Sequence, residues 1–187
     1  MKIILFIIPF FFFSCKSQKK LEYNSNQQKI LHEKFEKAVA EKKLEYTRIF
    51  KDDTISKNYS VDFMLDKIDN EKEYGYVFIS EYWIAYHYEE AVPKLIERLT
   101  NKKEVGLINT ADLIIHERIE SGDLKFYGHG GVSYDDLFTI AGRANNILTN
   151  ITGQNFGSVS MYSSKDDLKK LQLAWLNWLK ELKATKH

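Results

Sequence analysis

The chain has little of what would let a chemistry be read from it directly. It holds one cysteine, Cys15, and two prolines, Pro9 and Pro93, in 187 residues. One thiol closes no disulfide within the chain, so the fold has to hold without covalent staples. Strand-and-turn proteins need more proline punctuation than this, which favours helices joined by loops. Charge of one sign is also lacking: 27 basic residues stand against 26 acidic ones, a net charge of +1. Nucleic-acid binding shows a basic excess, and with none here no nucleic-acid partner is expected. The longest apolar run, Ile3 to Phe13, is eleven residues. A membrane-crossing helix takes about 20.

Catalytic and cofactor signatures are missing too. His129-Gly-Gly has no G-x-S-x-G elbow to serve. Gly128 to Gly131 forms neither a P-loop nor a dinucleotide fingerprint. His116-Glu117 lacks the second histidine of H-E-x-x-H. Histidines stand at 32, 87, 116, 129 and 187 without ligand spacing, and His87 with Glu89 and Glu90 reads as solvated charge beside a helix start. Asp52-Asp53 and Asp166-Asp167 read as turn and cap residues. No catalytic residue, metal or cofactor is therefore assigned. What the chain does have is apolar mass, 44% hydrophobic and 14% aromatic, enough for the core of one domain.

The first fifteen residues, MKIILFIIPFFFFSC, place Lys2 before the apolar run and a small residue, Ser14, before the sole cysteine. A charged start, a short apolar core and a small residue before the cut describe a secretory signal. Phe12-Phe13-Ser14-Cys15 resembles a lipobox, of the loose, Phe-rich kind found in Bacteroidetes lipoproteins. That resemblance implies cleavage after residue 14, a diacylglycerol on the Cys15 sulfur and stable anchoring by two or more acyl chains. Removing residues 1–14 takes away Lys2 and leaves 26 basic and 26 acidic residues, a neutral mature chain. Residues 15–28 are polar, without apolar periodicity, and read as a flexible tether; Lys16, Lys19 and Lys20 read as solvated linker charge, with contact to lipid headgroups as the alternative. Surface-exported lipoproteins of Bacteroidetes often carry acidic residues just after the cysteine; none follows Cys15 directly, so the same resemblance implies an outer-membrane anchor with the domain facing the periplasm. Asp53-Thr54-Ile55 resembles the O-glycosylation site of Bacteroidetes envelope proteins, with Thr54 as acceptor.

Residues 29–187 read as a helical domain. Ile30, Leu31, Phe35, Ala38 and Val39 recur at helical spacing between Gln27 and Lys43, and residues 45–59 fit neither period. Ser60 and Asp62 suit the start of a helix carrying Phe63, Met64, Leu65 and Ile68. Glu73 to Tyr88 is apolar or aromatic almost all round, the mark of a buried helix; a sugar-binding aromatic face is the sharper alternative. A stripe of Ala91, Val92, Leu95, Ile96 and Leu99 follows, with Pro93 in its first turn. Thr110 is placed to cap a helix through Leu113, Ile114, Ile115 and Ile119. Asp135 and Asp136 are placed to open another, with Leu137, Ala141, Ala144, Leu148 and Ile151 inward and Gly142 at a close approach of two helices; Gly153 ends it. The last helix starts near Ser164, carries Leu168, Leu171, Leu173, Trp175, Leu176, Trp178, Leu179 and Leu182, and ends among Lys180, Lys183 and Lys186.

AVPKLIERL, AGRANNILTNITGQNFG and LAWLNWLKEL, spread over about Tyr88 to Leu182, resemble the closing segments of HEAT-like repeat proteins, with Thr152 to Gly157 as the exit and Trp175 and Trp178 as the paired tryptophans. The resemblance implies a mainly α fold, an irregular HEAT-like stack of antiparallel helices that serves as a binding scaffold.

One segment breaks the short-turn pattern. Residues 121–134 hold four of the nine glycines, Gly122, Gly128, Gly130 and Gly131, with His129 at the apex and Asp135 and Asp136 just beyond. Glycines admit positive φ and close backbone approach, and long loops inside compact domains are often functional. Tyr127, His129, Tyr134, Asp135 and Asp136 are the candidate interaction residues. The other account is a packed or hairpin-like excursion that shields the neighbouring helices. The expected function is a lipid-anchored, non-enzymatic envelope protein that binds a protein partner, an immunity-type lipoprotein being one variant. The alternative is a small hydrolase or ligand-binding protein in which His129 works with Asp135 or Asp136.

Overall fold

The computed structural model describes residues 25–49 and 58–184. The signal, Cys15 with most of the tether, Thr54 and Lys186 lie outside the described residues. The described chain runs α1 (Ser25–Ile49), α2 (Val61–Asn70), α3 (Tyr74–Tyr86), α4 (Tyr88–Arg98), β1 (Leu113–Ile114), α5 (His116–Glu120), β2 (Gly131–Val132), α6 (Ile140–Thr152) and α7 (Lys165–Ala184). The fold is mainly α and forms one domain, as the sequence leads one to expect. No described helix is long and apolar enough to cross a membrane.

Local chemistry starts and stops the helices. The Ser60 hydroxyl accepts from the Phe63 amide at 3.2 Å and begins α2. Val61, Met64, Leu65 and Ile68 then bury one face, worth about 1.5–3 kcal/mol per large side chain. At α7, Ser164 and Asp167 cap each other's amides, at 3.1 and 3.2 Å. At α6, Thr139 accepts from the Gly142 amide at 3.1 Å, and Gly153 closes the helix at φ 66°.

Helix α6 is the hub. It packs against α1, α2, α3 and α4, while α7 lies on α4 and α1. Its ten buried residues include Arg143 and Asn145 as well as the apolar ones. Contacts therefore run between helices far apart in the chain, unlike a regular solenoid in which each unit meets only its neighbours. Trp175, fully buried, meets Phe156 and Trp178 edge-on at 4.8 and 5.5 Å and centres the main core.

Several expectations need correction. The helix expected from Thr110 is instead β1 followed by the five-residue α5. Leu113 and Ile115 are buried and Ile114 is half-buried, a period of two that puts Leu113 and Ile115 into a second, smaller core with Leu124, Leu137 and Phe138. Asp135 and Asp136 do not open α6, because Thr139 supplies its cap. Gly142 is needed for its own approach loop rather than for a second helix: a Cβ there would stand 1.9 Å from the Asp136 carbonyl oxygen. Helix α3 is not buried all round, since Phe78, Ile79 and Tyr86 are exposed, as are Ile30, Phe63, Leu173 and Leu176. Pro93 falls in the second turn of α4, and α1 starts at Ser25, inside the expected tether.

Candidate functional site

Between α4 and α6 the chain runs through an irregular layer, residues 99–139, sewn to itself and to the helix ends by main-chain bonds. Ile108 donates to Lys72 at 2.9 Å, Val105 to Phe138 at 2.8 Å and Ile140 to Lys103 at 3.1 Å. β1 and β2 lie parallel within it, Leu113 beside Gly131 and Ile114 beside Val132. Gly130 makes the pairing possible: a Cβ there would come within 2.6 Å of the Asp112 carbonyl, and its φ of 126° suits only glycine.

Buried charge holds this layer down. Arg118, on α5, grips Asp136 with two parallel bonds of 2.8 and 2.7 Å and also reaches Glu104 at 2.7 Å and Asp123 at 3.0 Å. Its guanidinium lies 4.6 Å over the Phe138 ring. The bonds to Asp136, aided by the one to Asp123 and the charge of Glu104, hold Arg118 protonated above the ordinary arginine range. Arg143 is fully buried yet faces carbonyls, not carboxylates: it donates to Leu137 at 2.8 Å, Glu71 at 2.7 Å, Gly106 at 2.8 Å and also to Ile68. Ile68 and Glu71 stand at the C-terminal, electronegative end of α2. Burial still lowers the Arg143 guanidinium to about 10.

A third chain of bonds ties the layer to α7. Trp175 Nε1 donates to Asn145 at 2.9 Å, and Asn145 donates to Asp135 at 2.8 Å and to the Gly157 carbonyl at 2.9 Å. The Val159 amide reaches the same Asp135 oxygen at 2.7 Å. Burial raises Asp135 to about 6, opposed by the Val159 and Asn145 bonds and reinforced by the nearby Asp136 charge. Glu117 accepts from Ser160 at 2.7 Å and from the Met161 amide at 2.9 Å.

These bonds divide the five candidate residues. Tyr127, His129 and Tyr134 are exposed, Tyr134 at 83%. Asp135 and Asp136 are buried and face inward, so they support the layer and present nothing to a partner. His129 does not join them. Its Nδ1 lies 3.1 Å from Asp112, both side chains well exposed, a solvated pair worth less than about 1 kcal/mol. Residues 121–134 are not a hairpin either; their end pairs in parallel with β1. Phe126 and Val132 add exposed apolar surface to the same segment. No group of three or more His, Cys, Asp or Glu is placed to hold a metal among the described residues.

Two of the concavities among the described residues bear on the site. Phe35, Tyr88, Val92, Trp178 and Leu182 line an apolar one of about 280 Å³ between α1, α4 and α7. The second, about 210 Å³, lies between α3, α6 and the strand pair, beside the exposed segment. Its lining comes from Tyr74, Phe78, Val132, Leu137, Asn146 and Asn150 among others. Sequence reasoning passed over Arg118, Arg143, Asn145 and Asn146. The first three bond across the fold to Asp136, Ile68 and Trp175, Asn146 gains its place in the cleft only from the packing of α6, and no local spacing marks any of them.

Comparison with known protein families, with curated proteins and with solved structures finds no match to this chain.

Proposed function

We propose that this protein is a lipid-anchored component of a bacterial envelope, held through Cys15 at the outer membrane and facing the periplasm, that binds another protein through its irregular layer. The observation that carries the reading is the contrast within residues 126–136: Phe126, Tyr127, Val132 and Tyr134 are exposed, while Asp135 and Asp136 just after them are buried and hydrogen-bonded inward. Surface loops on a rigid base are where binding groups concentrate, and aromatic side chains are enriched at protein interfaces. The neutral mature chain and the lipobox-like Phe12 to Cys15 support the envelope part.

The test is photo-crosslinking in the native membranes, with a reactive amino acid at Tyr127 and a control at exposed Leu173 on α7. A discrete partner captured at Tyr127 and absent at Leu173 is expected. A Cys15→Ala form should leave the membrane fraction. Equal labelling at both positions, or none at Tyr127, refutes the binding face, and a Cys15→Ala protein that stays membrane-bound refutes the anchor.

A further inference from the structure

We infer that the cleft between α3, α6 and β2 receives an extended, uncharged stretch of a partner's chain, which adds as a strand to the open edge of β2 and seats one apolar side chain among Tyr74, Phe78 and Leu137. The inference rests on the protein-binding reading and names how that face recognises its partner.

The main chain supplies the first argument. Gly131 and Ser133 donate to Asp112 and Ile114 of the β1 segment, both at 2.9 Å. Successive residues of a strand turn their N–H and C=O to opposite edges, so those of Val132 face away from β1. No described residue bonds to them, and Val132 is 47% exposed. An unpaired edge of this kind is a template for another strand. Its register is preset, because Gly130 lets the backbone close onto Asp112. Little ordering cost then remains for this side of the complex.

The side chains supply the second. Tyr74 is half-buried and its hydroxyl has no hydrogen-bond partner among the described residues; burial and the Glu81 charge hold it in the protonated, donating form. The Asn146 amide, also half-buried, makes no hydrogen bond with a described residue, and it offers both a donor and an acceptor. Asn150 spends its amide nitrogen on Glu81 at 2.7 Å and keeps its oxygen. Unspent donors and acceptors thus line the same cleft as the open edge. None of its ten lining residues is charged, so the segment that enters is uncharged as well. Phe78 stands beside Tyr74 at 6.3 Å and Tyr82 at 5.6 Å, an apolar wall for one side chain. A saccharide would use the aromatic wall and the amides but has no main chain to match Val132.

The test uses the purified full chain and a phage-displayed library of linear peptides. Synthetic copies of the selected peptides are then N-methylated one position at a time, which leaves this protein untouched. Strand addition predicts an alternating record: methylation at every second position weakens binding at least tenfold, and the positions between tolerate it. Val132→Pro, which removes the edge donor, should weaken binding at least tenfold, and Asn146→Ala several-fold. A flat methylation record overturns the inference, as does a selection that yields no peptide, or an oligosaccharide that binds wild type and Val132→Pro alike. If the Tyr127 crosslink still captures its partner in any of these cases, the protein-binding reading stands and only the cleft assignment falls.

Discussion

Replacing Asp135 by asparagine should stabilise this protein at neutral pH. Asp135 titrates at about 6 in the folded chain against an ordinary 3.8. Between those values the folded chain holds a proton that the unfolded chain has released. Stability therefore falls as the pH rises from about 4 to about 6, and above that the full cost of the buried charge is present. A gap of roughly two pH units corresponds to about 3 kcal/mol at neutral pH. Asparagine carries no charge to bury, and its oxygen can still accept from Asn145 and the Val159 amide. Its new N–H group has to find a partner, which takes back about 1–2 kcal/mol. The expected net gain is about 1–2 kcal/mol at pH 7.5, shrinking to zero or below by pH 4.

The assay is urea unfolding followed by circular dichroism at closely spaced pH values, read as the difference between Asp135→Asn and wild type. Asp69 is also raised by burial, and Asp123 and Asp167 are lowered by their hydrogen bonds, but all three are common to both proteins and cancel in the difference. A difference independent of pH between 4 and 7 would refute the reasoning, because it would mean that Asp135 keeps an ordinary titration despite its burial.

Gly142→Ala should cost at least about 3 kcal/mol in the same unfolding assay, since its Cβ would stand 1.9 Å from the Asp136 carbonyl and only a backbone shift relieves that. Arg118→Met should cost about 3–5 kcal/mol by stranding buried Asp136, and adding Asp136→Asn should recover part of it; strictly additive losses would disprove the coupling. Trp175→Phe should cost about 1–2 kcal/mol more than Trp178→Phe. Both lose similar ring area, but Trp175 also deprives Asn145 of a donor at 2.9 Å, whereas the buried Trp178 Nε1 has no partner among the described residues. Equal losses in thermal or urea unfolding would refute that account.

The helices were legible where burial follows a local period. Ser60, Gly153 and Ser164 mark ends that the structure places within a residue or two. Leu113 to Ile119 was misread because a short apolar run satisfies either period. What decides it is the second core under residues 99–139, into which Leu113 and Ile115 both point. Helix α3 was read as core throughout for a related reason: an all-apolar surface does not say which side lacks a neighbour. The face with Phe78 and Ile79 is the side left open.

The site was less legible, and the cause differs for its two parts. Buried charge depends on distant partners: Arg118 meets Asp136 18 residues on, and Arg143 meets the Ile68 carbonyl 75 residues back. Asp135 and Asp136 looked like cap residues because an acid before a helix usually is one. The glycines drew attention to residues 121–134, and at Gly130 the approach of β2 to Asp112 is by itself enough to require one. That approach is what orients the main chain of Val132 outward. A peptide N–H and C=O are the same in every non-proline residue. An edge that recognises a strand therefore leaves no residue-type signature, and only the pairing of its neighbours reveals it.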